Sequence, residues 1–122
     1  VTDSRELAIA AARAAASKKA ADVVIMDMRE LLVITDAFVI ASGGSDRQVK
    51  TIAEAMEDAV RDLGVKPVRR EGEREGRWIL LDFVDFVAHV FVHEEREYYD
   101  LERLWADAPR IGWEPDEAAT GA

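Results

Sequence analysis

The side chains best able to do chemistry gather in two places. The first is Trp78-Ile79-Leu80-Leu81-Asp82-Phe83-Val84-Asp85-Phe86-Val87-Ala88-His89-Val90-Phe91-Val92-His93, where two carboxylates and both histidines of the chain stand among apolar residues. A metal ion is one reading. His89 and His93 share a strand face, but four residues hold them about 13 Å apart at ~3.3 Å per residue, too far for one ion. Asp82 and Asp85 are the residue type that shapes a tight turn. An acid–base pair between His89 and Asp82 competes with an ordinary hydrogen-bonded structural histidine. The second place is Gly43-Gly44-Ser45, at the end of an apolar run and the start of a helical pattern. A helix start offers free N–H groups and a positive dipole end to a phosphate. Triphosphate chemistry would also need paired carboxylates to hold Mg²⁺. Glu54, Glu57 and Asp58 fall inside the helix instead, so a strand-to-helix turn with a capping serine is the simpler reading. With no cysteine, and no serine in a strained elbow beside a base, nucleophilic catalysis has no candidate either. No catalytic, cofactor-binding or metal-binding residue is assigned.

What remains is a surface. Trp78–Leu81 and Phe86–Val92 read as two adjacent strands joined by an Asp-containing turn. Along the second, Phe86, Ala88, Val90 and Val92 point one way and are all apolar. Val87, His89, Phe91 and His93 point the other way, and Trp78, Leu80 and Asp82 share a face of the first strand. Arg96-Glu97-Tyr98-Tyr99-Asp100-Leu101-Glu102-Arg103-Leu104-Trp105 follows with aromatic and leucine residues at roughly helical spacing. An aromatic, histidine and carboxylate face beside such a segment has the composition of an interface hot spot. Cover of this second face by a helix fits the pattern equally well.

The elements that must position this surface are readable in order. Residues 3–20 form an alanine-rich helix with Asp3 as cap and Glu6 three residues on, its stripe carried by Leu7, Ala8, Ala11, Ala14, Ala15 and Lys18. Asp22–Met28 is a first strand, and Leu31–Ile34 a turn tucked into the core. Ala37–Ser42, apolar on both faces, is a central strand. Ser45 and Gln48 open a helix whose stripe is Val49, Ile52, Ala53, Met56, Val60 and Leu63, with Gly64 as its left-handed stop. Val65–Glu71 is an edge strand, Gly72–Gly76 a charged turn, and the hairpin and final helix follow. The order αββαβββα predicts an α/β fold with a single mixed sheet and helices packed on its faces. Residues 1–112 form one domain, and 113–122 a loose acidic tail after Pro109 has stopped any helix.

A chain of 122 residues is long enough to bury a core without staples, and 49% hydrophobic residues argues against disorder. The absence of cysteine rules out disulfides and thiolate metal sites and suits the cytoplasm. No apolar run reaches the ~18 residues of a membrane span, so no membrane association is expected. Sixteen basic against 25 acidic residues give a net charge of −9. Phosphate backbones repel such a chain, and Lys66–Arg70 is followed at once by Glu71, Glu73 and Glu75, so no direct nucleic-acid contact is expected. A basic protein partner fits better.

Thr35-Asp36-x-Phe38-Val39-Ile40-x-Ser42-Gly43-x-Ser45-x-Arg47-Gln48-Val49, Glu71-Gly72, Trp78-x-Leu80-Leu81-Asp82, His89-x-Phe91 and Arg96-x-x-Tyr99-x-Leu101-Glu102-x-Leu104-Trp105 occur in one order between about residues 5 and 111. Together they resemble the ribosomal silencing factor family, also called Iojap. The resemblance implies a compact nucleotidyltransferase-like fold without enzymatic activity. It also implies binding to ribosomal protein L-fourteen of the large ribosomal subunit, where such factors obstruct joining of the small subunit and lower translation under nutrient limitation. Family members tend to be homodimers. Here an apolar surface of Trp78, Phe91 and Tyr99 gives that tendency a physical reason. The motif positions point to Trp78, Leu80, His89, Tyr99, Leu101 and Trp105 as partner contacts, with Asp82 and Glu102 as acidic anchors. Asp36, Gly43 and Ser45 read as structural. The extra His93 and the tail from Glu114 have no counterpart that carries a role. The competing reading is a small nucleotide-binding enzyme using the Gly43-Gly44-Ser45 turn.

Overall fold

The computed structural model describes residues 3–114. Its strands are β1 (Ala21–Asp27), β2 (Ala37–Gly43), β3 (Arg69–Glu71), β4 (Trp78–Asp82), β5 (Phe86–Val92) and β6 (Arg110–Ile111). Its helices are α1 (Ser4–Ser17), α2 (Asp46–Asp62), α3 (His93–Tyr99) and α4 (Leu101–Leu104). The six strands form one mixed sheet in the order β3-β4-β5-β2-β1-β6. β2 and β5 pair in parallel at its centre, and every other pairing is antiparallel. This is the single mixed α/β sheet that the sequence predicts, with two additions. The final helix is broken in two, and β6 closes the far edge.

Both long helices begin as their sequences direct. Asp3 accepts from the Glu6 amide at 2.8 Å, and Ser45 from the Gln48 amide at 3.1 Å. The return bond of α2 departs from the usual box: Gln48 Oε1 accepts from Gly44 N at 2.7 Å rather than from Ser45. Gln48 Nε2 also donates to the Lys19 carbonyl at 3.2 Å, tying the end of α1 to the start of α2. That end comes three residues before the expected one, because Lys19 is left-handed at φ 62° and turns the chain into β1. Both helices lie on one face of the sheet. Leu7, Ala8, Ala11 and Ala15 of α1, with Val49, Ile52, Met56 and Val60 of α2, bury against Ile25, Val39, Ala41, Ile79, Leu81, Phe86, Ala88 and Val90. The alanines let α1 approach closely.

Three expectations shift. β3 is limited to Arg69–Glu71 and is wholly exposed, since Pro67 cannot donate to a ladder. Of Leu31–Ile34 only Leu32 packs inward, while Val33 is fully exposed and Ile34 is 81% exposed. The third concerns Trp113, one residue past the expected domain limit at 112. Trp113 packs against the core cluster, its Nε1 donates to the Val23 carbonyl at 2.9 Å, and its own carbonyl accepts from Arg13. Residues 115–122 of the expected tail lie outside the described residues. No helix among the described residues is long and apolar enough to cross a membrane.

Candidate functional site

Strand alternation sends Trp78, Leu80 and Asp82 of β4, Val87, His89 and Phe91 of β5, and Phe38, Ile40 and Ser42 of β2 to the sheet face opposite α1 and α2. The register arranges them in rows. Trp78 stands beside Phe91 and then Ser42; Leu80 beside His89 and then Ile40; Asp82 beside Val87 and then Phe38. Among the described residues, the helices over this face are the short α3 and α4. Met26, Met28, Ile40, Phe91 and Ala108 are buried beneath them, with Leu101, Trp105, Trp78, Phe38 and Leu32 partly buried around the edge.

The sequence-derived contact residues therefore divide. Trp78 and Leu80 are half-buried at the open side of the face. The Trp78 indole stacks on Phe91 with ring centroids 4.8 Å apart and meets Tyr99 at 4.6 Å. Tyr99 is 44% exposed and Leu104 68%, so these two, with Tyr98, present apolar surface to solvent. Leu101 and Trp105 wedge against the second cluster and are half-buried. His89 lies deeper than the others: it is 5% exposed, with Phe38 edge-on at 4.7 Å. Its Nδ1 accepts from Trp78 Nε1 at 3.2 Å, which places the imidazole proton on Nε2, and burial pushes its pKa down to about 4. A neutral ring thus orients the tryptophan in front of it. Phe91, expected on the open surface, is buried as well, at 1%.

The two acidic anchors already have internal partners. Asp82 accepts from the Val84 amide at 2.8 Å, holding the hairpin turn in which Val84 is left-handed at φ 72°. No bond joins it to His89. Glu102 receives both Arg96 Nε and Nη2 at 3.1 Å. Arg96 stands in the motif but was given no role from the sequence. It is 9% exposed, and its Nη1 donates to Ser42 Oγ at 3.1 Å and the Ala21 carbonyl at 3.2 Å. Phe38, also in the motif, was likewise given no role, although its alternation with Ile40 and Ser42 places it on this face. His93 heads α3 rather than continuing the face of β5.

The Gly43-Gly44-Ser45 turn is occupied by the chain itself. The amides of Gly44, Arg47, Gln48 and Val49 donate to Gln48 Oε1, Asp46 Oδ1, Ser45 Oγ and the Ser45 carbonyl. Farther along α2, Glu57 takes a bidentate bond from Arg70, which holds its carboxyl below the usual carboxylate range, and Asp58 pairs with Arg61. These groups rim a groove of about 460 Å³ floored by Ile79 and Leu81, on the side of the sheet away from Trp78. Arg69 likewise pairs with Glu71, so Lys66–Arg70 is not a free basic patch. Among the described residues no group of three or more histidines and carboxylates is placed to hold a metal ion. Asp36 accepts from Ser4 Oγ at 2.9 Å, a structural role, as expected.

Comparison with known proteins converges on one family. The family model "Ribosomal silencing factor during starvation" matches residues 1–122. A Bacillus subtilis protein named ribosomal silencing factor RsfS is 45% identical over 99 residues, covering 81% of this chain and 84% of its own. A mouse protein named "Mitochondrial assembly of ribosomal large subunit protein 1" is 31% identical over 72% of this chain, which spans 40% of that protein's length. A crystal structure from Chromobacterium violaceum superimposes with a TM-score of 0.83 at 32% identity, over 94% of this chain and 92% of the other.

Proposed function

The chain belongs to the ribosomal silencing factor family, and we propose that it lowers translation in the cytoplasm when nutrients are scarce. It does so by docking on ribosomal protein L-fourteen of the large subunit and blocking small-subunit joining. The observation that carries this reading is the half-covered aromatic face. Trp78, Leu80, Tyr99, Leu101, Leu104 and Trp105 supply the contact, with neutral His89 supporting Trp78 from behind. A net charge of −9 suits a basic ribosomal protein, and exposed Glu97 takes over the anchoring role first given to Glu102. The mouse relative's name, which refers to the large subunit, supports the choice of subunit. The same exposed apolar groups support a homodimer, which light scattering at tens of micromolar tests. Against the nucleotide-binding alternative, the amides of Gly44, Arg47 and Gln48 already donate within the chain.

Trp78→Ala decides the matter when melting and co-sedimentation with large subunits are measured on one preparation. Removing a central anchor costs ~2–4 kcal/mol of binding, about 30- to 1,000-fold in affinity. Melting should change far less, because Trp78 is half-buried at the edge of the second cluster. If Trp78→Ala, Tyr99→Ala and Leu104→Ala all stay folded and bind at wild-type affinity, this surface is not the docking site.

A further inference from the structure

The segment that covers the second face is not a continuous helix. Asp100 is left-handed, at φ 46° and ψ 55°, and it both ends α3 and begins α4. Its amide donates to the Arg96 carbonyl at 2.9 Å, and its carbonyl accepts from Arg103 and Leu104 at 3.1 and 3.2 Å. The break has a geometric consequence. On an uninterrupted helix, two residues of separation turn side chains about 160° apart, so Tyr99 and Leu101 would face opposite ways. Here Tyr99 lies on Trp78 while Leu101 packs into the second cluster. The break brings both to one sheet face.

A left-handed aspartate is not self-sustaining, since L-residues other than glycine pay a steric penalty there. Arg96 and Glu102 bridge it. Six residues apart, they would stand about 120° apart on a continuous helix, where only residues three or four apart meet. Across the break they form a two-point ion pair at 3.1 Å, with Arg96 10% and Glu102 28% exposed at the side chain. The rest of the guanidinium reaches Ser42 at the end of β2 and Ala21 at the start of β1. One planar group thus links both halves of the broken helix to the middle of the sheet, a task for which the fork of arginine is suited and lysine is not.

We infer that Arg96 is a positioning residue: with Glu102 and Ser42 it holds the chain broken at Asp100, and so places Tyr99 against Trp78 and Leu101 beside them in the arrangement a partner meets. This rests on the docking role of that face. The pair acts on the contact surface without belonging to it, so its loss lowers the fraction of molecules carrying the correct surface. A tenfold smaller competent fraction reads as about tenfold weaker apparent affinity.

The test uses the full chain with Glu102→Gln, Asp100→Gly and the double substitution. Two quantities are measured: affinity for purified large subunits, and the nuclear Overhauser contact between the Trp78 indole and the Tyr99 ring. Glu102→Gln should lose that contact and bind roughly tenfold more weakly. Asp100→Gly should keep both, because glycine adopts the left-handed conformation without penalty. Added to Glu102→Gln, it should restore most of the contact and the affinity, a rescue that a general loss of stability would not allow. Asp100→Ala, which favours an unbroken helix, should copy Glu102→Gln and raise the helical circular dichroism signal. The inference is overturned if Glu102→Gln keeps the ring contact, whatever happens to affinity, or loses the contact and still binds at wild-type strength. Failure of the docking reading appears separately, as wild-type affinity in Trp78→Ala.

Discussion

The two faces of the sheet are built from the same strands by different means. Phe86, Ala88 and Val90 face two helices of 14 and 17 residues and are buried by apolar packing, without a polar group among them. Their immediate neighbours Val87, His89 and Phe91 lie on the face that carries helices of only 7 and 4 residues, too short to cover that face alone. Burial there is completed by aromatic rings, a neutral histidine and a guanidinium with four bonds. A helix long enough to bury a whole face contributes stability and leaves nothing to recognise. A short, bolted one leaves Trp78, Tyr99 and Leu104 in reach of a partner. Stability and recognition are thereby assigned to opposite sides of one layer.

Substitutions on the two sides sharpen this contrast. Phe86, fully buried and stacked on Phe83 at 4.7 Å, should lose ~3–5 kcal/mol of stability as Phe86→Ala in denaturant titration, while the molecules that remain folded bind normally. If Trp78→Ala destabilised the fold as much, the division would collapse. Acidity probes the second face. The His89 imidazole of the unfolded chain takes up its proton near pH ~6.5, whereas the folded one waits until about 4. The unfolded state binds more protons across that window, so stability falls as pH drops through it and levels off below. The full contribution is about 3 kcal/mol. His89→Leu should remove this part of the slope, leaving the carboxylates such as Glu57 to titrate at lower pH. A wild-type slope in the variant would mean that the imidazole is not buried in its neutral form. Smallest is Ser45→Ala, which removes the cap of α2 on the first face. It should cost ~1 kcal/mol in melting and nothing in large-subunit affinity.

Local rules carried the first face. Alternation in β2 and β5, the stripe of α2 from Val49 to Val60 and the caps at Asp3 and Ser45 are all decided within a few residues, and they stand in the structure as their sequences indicate; Leu63, the last expected member of that stripe, lies past the helix and is exposed. The second face depends on long-range partners. Nothing near Asp100 announces a left-handed residue, because its stabilising bonds run from Arg96 to Glu102, Ser42 and Ala21. β6 has two residues and exists only because β1 offers an edge, and Trp113 is recruited by the Val23 carbonyl. The apolar composition of Val33 and Ile34 suggested burial, but the turn that seats Leu32 leaves them outside. The depth of His89 was hidden for a related reason. Strand alternation gives its face correctly but says nothing about how much of that face is covered.

The parallel pairing at the centre of the sheet sets an order of assembly. β2 leaves the ribosome early, but its register partner is β5, with Ala37 opposite Phe86 and Gly43 opposite Val92. All of α2 and the β4–β5 hairpin must be synthesised before that ladder can close. Until then an apolar strand with one bare edge waits beside β1, and such an edge invites pairing with other chains. Non-local closure of this kind is slow. The rate of productive folding is thus governed by how soon the hairpin arrives, and substitutions that loosen the turn at Asp82 and Val84 would lengthen the interval in which a newly made chain can aggregate.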